Sequence, residues 1–242
     1  MSNFFSSFPR VFYSFGNNED PVVFQNLTRY DDLIDQVGQD IATYTEYEII
    51  DGERPDTLSQ KLYGNPTYDW TFFLMNERLR ETGWPMTLKQ VYDRAQTDFY
   101  PNYTAKLDIS TADSAAEYSS LYDVGQSVLV SGRSGVVVSK DLNLGEITIS
   151  SDSDLTTGTL LQYDDLTNPV ALTNTVNEWE GTHHWEDGDG EWADRWYSTE
   201  TILPITNLEH LVAQNDASKR IRLIKNQYIV QVVGELKRRI EG

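Results

Sequence analysis

Two adjacent histidines, His183 and His184, are the side chains of this sequence best suited to binding a metal ion. Carboxylates and tryptophans surround them in the segment 179–192, and imidazole and carboxylate groups are common metal ligands. Neighbouring residues of an extended strand point to opposite faces, however, so the two imidazoles are not expected to share one ion. The acidic run also lacks calcium-loop spacing, because a loop starting at Asp187 would need glutamate at position 198, where serine stands. We therefore predict a β-hairpin with an Asp-Gly turn here, with no metal and no cofactor.

Motifs of other catalytic classes are missing from the sequence. It contains no Gly-x-Ser-x-Gly elbow, no phosphate-binding P-loop and no His-Glu-x-x-His pattern. Carboxylate pairs abound, but such pairs arise by chance among 38 acidic residues, so no glycosidase-type pair can be singled out. The absence of cysteine removes disulfide bonds and cysteine-based zinc sites. We expect a protein that is not an enzyme and takes no small-molecule substrate.

The net charge of −19 is unevenly distributed along the chain. Residues 101–200 contain 18 acidic and 4 basic side chains, whereas residues 201–242 contain 4 acidic and 7 basic ones. Nucleic-acid binding needs clustered lysine and arginine, so the acidic middle argues against it. In the basic end, Arg220 and Arg222 are candidate contacts to an acidic protein partner, although a solvated face is an equally good reading of them.

The segment 46–76 predicts a strand, a turn and two short helices in close succession. β-prone residues around Tyr47 indicate the strand, and an Asp-Gly pair ending at Gly52 indicates the turn. The side chain of Asp56 is expected to cap a first helix that begins at Thr57.

Turn residues also delimit the second helix of this segment. Gly64 stands where a left-handed cap should end the first helix, and Pro66 suits the first turn of the next one. Trp70 then begins an apolar stripe with helical spacing. Farther on, Trp84 lies in a Gly-Trp-Pro turn and is either a core residue or a contact for a partner.

The N-terminal residues 1–44 are rich in aromatic side chains, among them Phe4, Phe8 and Phe12. These rings either pack on the module that follows or dock on another subunit. No basic region precedes an uninterrupted apolar run, so a signal peptide is not expected. No segment approaches the length needed to span a bilayer, so we expect no membrane partner. These features predict a chain that is used inside a cell or in an assembly made there.

Residues 99–200 differ in kind from the module. Short β-prone runs at 123–130, 135–139 and 146–150 alternate with turn residues, and a further run follows at 160–163. This pattern predicts a small β meander, closed or sandwiched. Serine, threonine and aspartate dominate the connections, which favours a surface insertion over a second catalytic domain.

The C-terminal segment 201–242 moves from a helical stretch into a strand and then a final helix. Alternation of basic and apolar residues at 220–223 predicts a strand with one buried face. The final helix is amphipathic, with Val232 and Val233 on its apolar face. That face needs a partner, either the chain's own module or a neighbouring protein.

These patterns together predict an α+β fold in four parts. They are an N-terminal arm (1–44), a module (45–98), an acidic β-rich insertion (99–200) and a C-terminal strand and helix (201–242). The order of elements in the module resembles LysM, a small βααβ unit best known for binding glycans.

A larger resemblance extends over the flanks of this LysM-like module. The segments that carry it occur in one order: 24–30, 44–76, the Gly83-Trp84-Pro85 turn, the His183-His184 pair and 205–225. Their order resembles the LysM-like baseplate wedge protein 53 family of contractile-tailed phages. The resemblance covers roughly residues 20–100 and 180–240. The run 51–76 and the tryptophan turn are specific, whereas 101–178 matches less securely.

Membership of this family implies a structural subunit of the phage tail baseplate. Such a subunit binds neighbouring wedge proteins and helps wedges join into a sixfold ring around the hub, in a virion assembled in the host cytoplasm. The alternative is a LysM-type module that binds glycan or peptidoglycan. Three residues, Glu53 to Pro55, are inserted between Gly52 and Asp56, beside where a glycan would lie. This insertion, the absence of an export signal and the single LysM copy favour the structural role.

Overall fold

The computed structural model describes residues 10–14, 22–25, 44–109, 121–141, 143–158, 160–163, 170–196 and 201–241. The chain divides into two compact units, the first formed by Met1–Thr87 with Asn215–Gly242 and the second by Leu88–Gln214. Both contain helices and strands, so the α+β class predicted from the sequence is confirmed. The finer four-part division at residues 44, 98 and 200 stays a prediction.

The elements follow one another in a mixed order along the chain. The strands are β1 (Arg10–Tyr13), β2 (Val22–Gln25), β3 (Tyr44–Glu48), β4 (Asn102–Leu107), β5 (Ser127–Val130), β6 (Arg133–Asp141), β7 (Glu146–Ser150), β8 (Leu160–Tyr163), β9 (Val170–Asn177), β10 (Thr182–Glu186), β11 (Trp192–Ala193), β12 (Leu203–Thr206) and β13 (Arg220–Ile224). The α-helices are α1 (Pro55–Tyr63), α2 (Trp70–Met75), α3 (Glu77–Thr82), α4 (Leu88–Phe99), α5 (Asn207–Ala217) and α6 (Asn226–Glu241), and 3-10 turns cover Pro66–Tyr68 and Glu178–Glu180. None of the helices in the described part of the chain has the length and apolar character needed to cross a membrane.

In the first unit, β3 pairs with β13 in antiparallel register, with Tyr47 opposite Ile221. The predicted alternation along β13 is confirmed, because its arginines are exposed and its apolar residues are buried. Buried side chains of β13, of the residue after β3 and of the helices α1 to α3 form one core. They are Ile49, Leu58, Phe72, Leu79, Ile221 and Leu223. Two strands separated by a long stretch of sequence therefore share one core with the helices that follow the first of them.

The first helix begins earlier than the sequence predicts. It starts at Pro55, and the Asp56 side chain is not its cap. Proline has no N–H to satisfy in a first helical turn, so it opens the helix at low cost. Asp56 instead accepts a hydrogen bond from Arg54, with 3.1 Å between Nε and Oδ1. The prediction of an Asp56 cap and a start at Thr57 is therefore wrong.

The end of the first helix follows the prediction. Gly64 adopts φ = +68°, and its N–H donates to the carbonyl of Gln60 at 3.0 Å. This left-handed conformation is easy for glycine because it has no Cβ. The Asn65 side chain then accepts a hydrogen bond from the N–H of Thr67, which caps the 3-10 turn that Pro66 begins.

Within the first unit, the last helix, α6, packs through a second small core. Its buried members are Ile224, Ile229 and Val233. The Tyr63 hydroxyl donates to the carbonyl of Ile224 at 2.9 Å, which ties the end of α1 to the end of β13. Burial raises the pKa of Tyr63 to about 12, so this hydroxyl keeps its proton at neutral pH.

The second unit contains a closed barrel with the strand order β4-β7-β6-β5-β8-β9. The β meander predicted as closed or sandwiched is thus a closed barrel, and the run at 160–163 is one of its strands. Its interior is filled by apolar side chains: Ala105, Leu107, Ile109, Tyr122, Val128, Val130, Val137, Ile147, Ile149, Leu155, Leu161, Val170 and Leu172. Closure pairs the edge strands with each other, so the barrel has no open edge.

A separate sheet of the second unit has the order β11-β10-β12. β10 and β11 form the predicted hairpin, whose turn is held by Asp187. One carboxylate oxygen of Asp187 accepts from the N–H groups of Asp189 and Glu191, at 2.9 and 3.0 Å. The other neighbour of β10 is β12, which leads directly into α5.

Candidate functional site

Residues 53–55, which the LysM resemblance marks as an insertion, are folded back onto the helices that follow them. The Glu53 side chain is only 12% exposed. It accepts a hydrogen bond from the Tyr47 hydroxyl at 2.9 Å and pairs with the Lys61 ammonium at 3.2 Å. The carboxylate of Glu53 is therefore bound at this turn by two side chains of the same chain, Tyr47 and Lys61.

Trp84 is part of the same arrangement. Its indole N–H donates to the Glu53 carbonyl at 2.6 Å. Its ring centroid lies 5.8 Å from that of Phe72 and 6.0 Å from that of Phe73. Of the two alternatives for Trp84, a core residue or a partner contact, these contacts describe a half-buried residue that anchors the inserted turn to the core.

The two arginines predicted as contacts lie on the exposed side of β13. Arg220 pairs with Glu46 of the adjacent strand, with 2.5 Å between Nη2 and Oε2. This hydrogen bond and the attraction between the charges hold the pKa of Glu46 below its usual range. The Arg222 guanidinium lies over the ring of Tyr44, 5.1 Å from its centroid. Both arginines are exposed to solvent, and each already contacts a residue of β3, Arg220 through an ion pair and Arg222 through a cation–π contact.

The two valines predicted as contacts occupy different environments. Val233 is only 6% exposed and belongs to the core with Ile229 and Ile224, and Val232 is half-buried against the same cluster. The described part of the apolar face of α6, from Ile229 to Val233, therefore packs against residues of α1 and α2. Val230, on another side of the helix, is 70% exposed.

A two-stranded ribbon formed by β1 and β2 exposes apolar side chains. Phe12 is 73% exposed, and Val23, its partner across the ribbon, is 49% exposed. The other exposed apolar residues of the ribbon are Val11, Tyr13, Val22 and Phe24. Of the three phenylalanines predicted as contacts, Phe4 and Phe8 lie outside the described residues.

The three histidines of the chain form a cluster in the second unit. Nδ1 of His183 lies 2.8 Å from Nδ1 of His184, and the ring of His210 stacks on His183 with 3.7 Å between centroids. One ligand atom from each of the three lies within 4.8 Å of the others. The expectation that the side chains of His183 and His184 point to opposite faces is therefore wrong.

A β-bulge explains the error. Thr182 pairs with Thr206 and His184 pairs with Ile205, so two steps along β10 oppose one step along β12. His183 is the extra residue, and a bulge turns its side chain away from the face that simple alternation assigns. The argument from an unbroken strand failed because the strand is broken at this residue.

His210 lies in the first turn of α5, and a cap formed by Thr206 and Glu209 fixes where this helix begins. Thr206 and Glu209 form a reciprocal cap, in which Glu209 accepts from the Thr206 N–H at 2.8 Å and Thr206 Oγ1 accepts from the Glu209 N–H at 3.1 Å. The Asn207 side chain also donates to the carbonyl of Glu178 at 2.7 Å. The spacing Thr-x-x-Glu is a sequence signal for such a helix start. This Thr206-x-x-Glu209 spacing could have shown, from the sequence, that His210 lies in a first helical turn.

The surroundings of His183 and His210 favour neutral imidazoles. Burial, with the adjacent His210 and His184, lowers the pKa of His183, and burial with His184 lowers that of His210. His184 is 5% exposed, and its Nε2 lies 2.8 Å from a carboxylate oxygen of Glu186. The ring of Trp192 stacks on His184, with 4.3 Å between centroids. A neutral imidazole has a free lone pair, which is the form that binds metal ions.

The chain matches no known protein-family profile and no curated protein.

Proposed function

We propose that this chain is a structural subunit of a phage tail baseplate wedge, in which a LysM-like module serves as a scaffold for protein contacts. The observation that carries the proposal is the packing of Glu53 and Trp84 at the inserted turn. In a LysM module, this turn lies beside the glycan. Here the carboxylate of Glu53 and the indole of Trp84 are bound to the chain's own residues.

The pairing of β3 with β13 supports a LysM-like arrangement in the first unit. One strand precedes the helices α1 and α2, and the other pairs with it antiparallel. These elements follow the order strand, helix, helix, strand, except that a third helix, α3, follows α2 and that residues 88–214 precede the last strand. A module with so long an insertion is better suited to a multi-contact assembly subunit than to a compact sugar-binding repeat.

The β1–β2 ribbon supports a protein partner. Contiguous exposed apolar side chains commonly mark protein interfaces. Phe12, at 73% exposure, is the most exposed aromatic residue of the ribbon. We assign the ribbon to contact with a neighbouring wedge subunit, and the sixfold ring around the hub follows from such contacts between wedges.

Binding experiments with the full chain test this function. We expect co-purification with wedge proteins that are expressed together with it, and no saturable binding of chitin or peptidoglycan oligomers. Micromolar glycan binding that is abolished by changes at 52–55 would favour the LysM-type glycan-binding alternative.

A matched pair of variants tests the ribbon. Phe12→Ser should weaken co-purification without lowering the melting temperature of the isolated chain, because the ring is already in solvent. Val124→Ser is the control, since Val124 is 62% exposed and lies in a different part of the chain. Equal losses for both variants, or none for either, would argue against a ribbon interface.

A further inference from the structure

All histidines of this chain meet at one place. The sequence has three, and all three belong to the cluster of His183, His184 and His210. Two come from β10 and one from α5, so the cluster joins elements that are not adjacent in sequence. Imidazole nitrogens from three residues are the donor set found in three-histidine zinc sites.

The separations are close to those that a single ion requires. Ligands about 2.05 Å from a tetrahedral ion are about 3.3 Å from each other. The two Nδ1 atoms of His183 and His184 are 2.8 Å apart, and the widest separation among the three ligand atoms is at most 4.8 Å. Coordination of one ion requires the rings to turn towards it, because His183 and His210 are stacked with 11° between their planes.

Glu186 supplies the outer contact that metal-binding histidines usually have. Its carboxylate faces Nε2 of His184, while Nδ1 of the same ring faces His183. A carboxylate that accepts a hydrogen bond from Nε2–H favours the tautomer whose lone pair is on Nδ1, on the side of the ring that faces His183. Glu186 is therefore a positioning residue, and the 2.8 Å contact orients the ring before any ion arrives.

We propose that His183, His184 and His210 bind one Zn²⁺ ion, which links β10 to the first turn of α5. The donor set favours zinc over calcium or magnesium because imidazole is a ligand for transition metals and zinc, whereas the latter two prefer oxygen. Three histidines leave a fourth tetrahedral position for water. The site can be tested separately from the proposed baseplate function, since the packing of Glu53 and Trp84 and the β1–β2 ribbon, on which that function rests, involve none of the three histidines.

Metal binding is measured directly on the full chain, without a histidine tag and after treatment with a chelator. Isothermal titration with ZnCl₂ should show one saturable site per chain. Zinc should raise the melting temperature, because an ion bound to the native state stabilises it by mass action. Co²⁺ should give the intense visible absorption of a four-coordinate ion. A weak six-coordinate cobalt spectrum, or no saturable zinc binding, would overturn the proposal.

Three variants test which residues hold the ion. His210→Ala should reduce zinc affinity at least about 100-fold, because it removes a ligand and should exceed the 10–100-fold loss typical of outer contacts. Glu186→Gln should reduce affinity about 10-fold to 100-fold. Asp189→Asn, in the exposed turn of the same hairpin, is the control and should bind zinc as the wild type does.

The relative zinc affinities of these variants distinguish a specific histidine site from non-specific attraction of zinc to the acidic turn. If Asp189→Asn weakens binding as much as His210→Ala does, the acidic turn attracts zinc and the histidine site is refuted. Unchanged affinity in a folded His210→Ala chain refutes it as well. Circular dichroism in the presence of chelator checks the folding of each variant, and the cobalt spectrum of the wild type decides the matter even if a variant does not fold.

Discussion

Nδ1 of His183 and Nδ1 of His184 lie 2.8 Å apart, although the two residues are neighbours on one strand. In a regular strand, their side chains would point to opposite faces. The bulge at His183 brings both rings to the same side, where His210 from α5 stacks on the first of them. A local irregularity of backbone pairing thus creates the one place where all the histidines of the chain meet.

Val233→Asp should destabilise the chain by at least about 3 kcal/mol, because it places a carboxylate among buried apolar side chains such as Ile224 and Ile229. The measurement is urea unfolding followed by tryptophan fluorescence. Val230→Asp, on the same helix, should change the free energy of unfolding by no more than about 0.5 kcal/mol, since Val230 is 70% exposed. Equal effects at the two positions would contradict the packing of α6 on the first unit.

Trp84→Phe should lower the free energy of unfolding by about 1–3 kcal/mol. It leaves the Glu53 carbonyl without its indole donor and removes part of a packed ring. Thermal unfolding measures the loss. A variant as stable as the wild type would show that the 2.6 Å contact contributes little, and would weaken the view of Trp84 as an anchor of the inserted turn.

The buried carboxylate of Glu146 predicts a pH dependence of stability. Burial raises its pKa above the ordinary value of 4.5, while Thr182 and Lys106 oppose this shift. The native state then binds more protons than the unfolded state between the ordinary and the raised pKa, so stability falls as pH rises through this window.

Glu146→Gln removes this proton linkage and is the variant that tests it. The stability of the wild type relative to Glu146→Gln should be greatest below pH 4.5 and should fall as the pH rises. Urea unfolding of both chains from pH 4 to pH 8 measures the difference. A difference that is constant, or that grows with pH, would contradict the raised pKa.

One chemical change should have opposite effects at two glycines. Gly64→Ala should cost about 1 kcal/mol, because Gly64 has φ = +68° and a Cβ is strained there even though no atom lies within 4 Å of it. Gly234→Ala should stabilise α6 by about 0.5–1 kcal/mol, since the position is helical and a Cβ would again meet nothing within 4 Å. Thermal unfolding of the two single variants checks both signs.

Local signals in the sequence were sufficient for most elements. Gly64 and the alternation along β13 act through neighbouring residues, so their prediction needed no tertiary information. The start of α1 was misjudged because Asp56 suits a cap as well as a first turn. Only the structure shows that its carboxylate is bound to Arg54 and does not cap the helix. The two readings of Trp84 stayed open because its partner, the Glu53 carbonyl, is 31 residues away.

The sequence alone determined the α+β class, the small β meander and the hairpin at the histidine pair, because periodicity and turn residues are properties of short segments. Only the tertiary structure decided that the meander closes into a barrel, that Val233 is covered by its own module and that His210 joins His183 and His184. Each of these depends on the pairing of strands or the packing of helices that are distant in sequence. The bulge at His183 arises from pairing with β12, and no pattern within β10 itself encodes it.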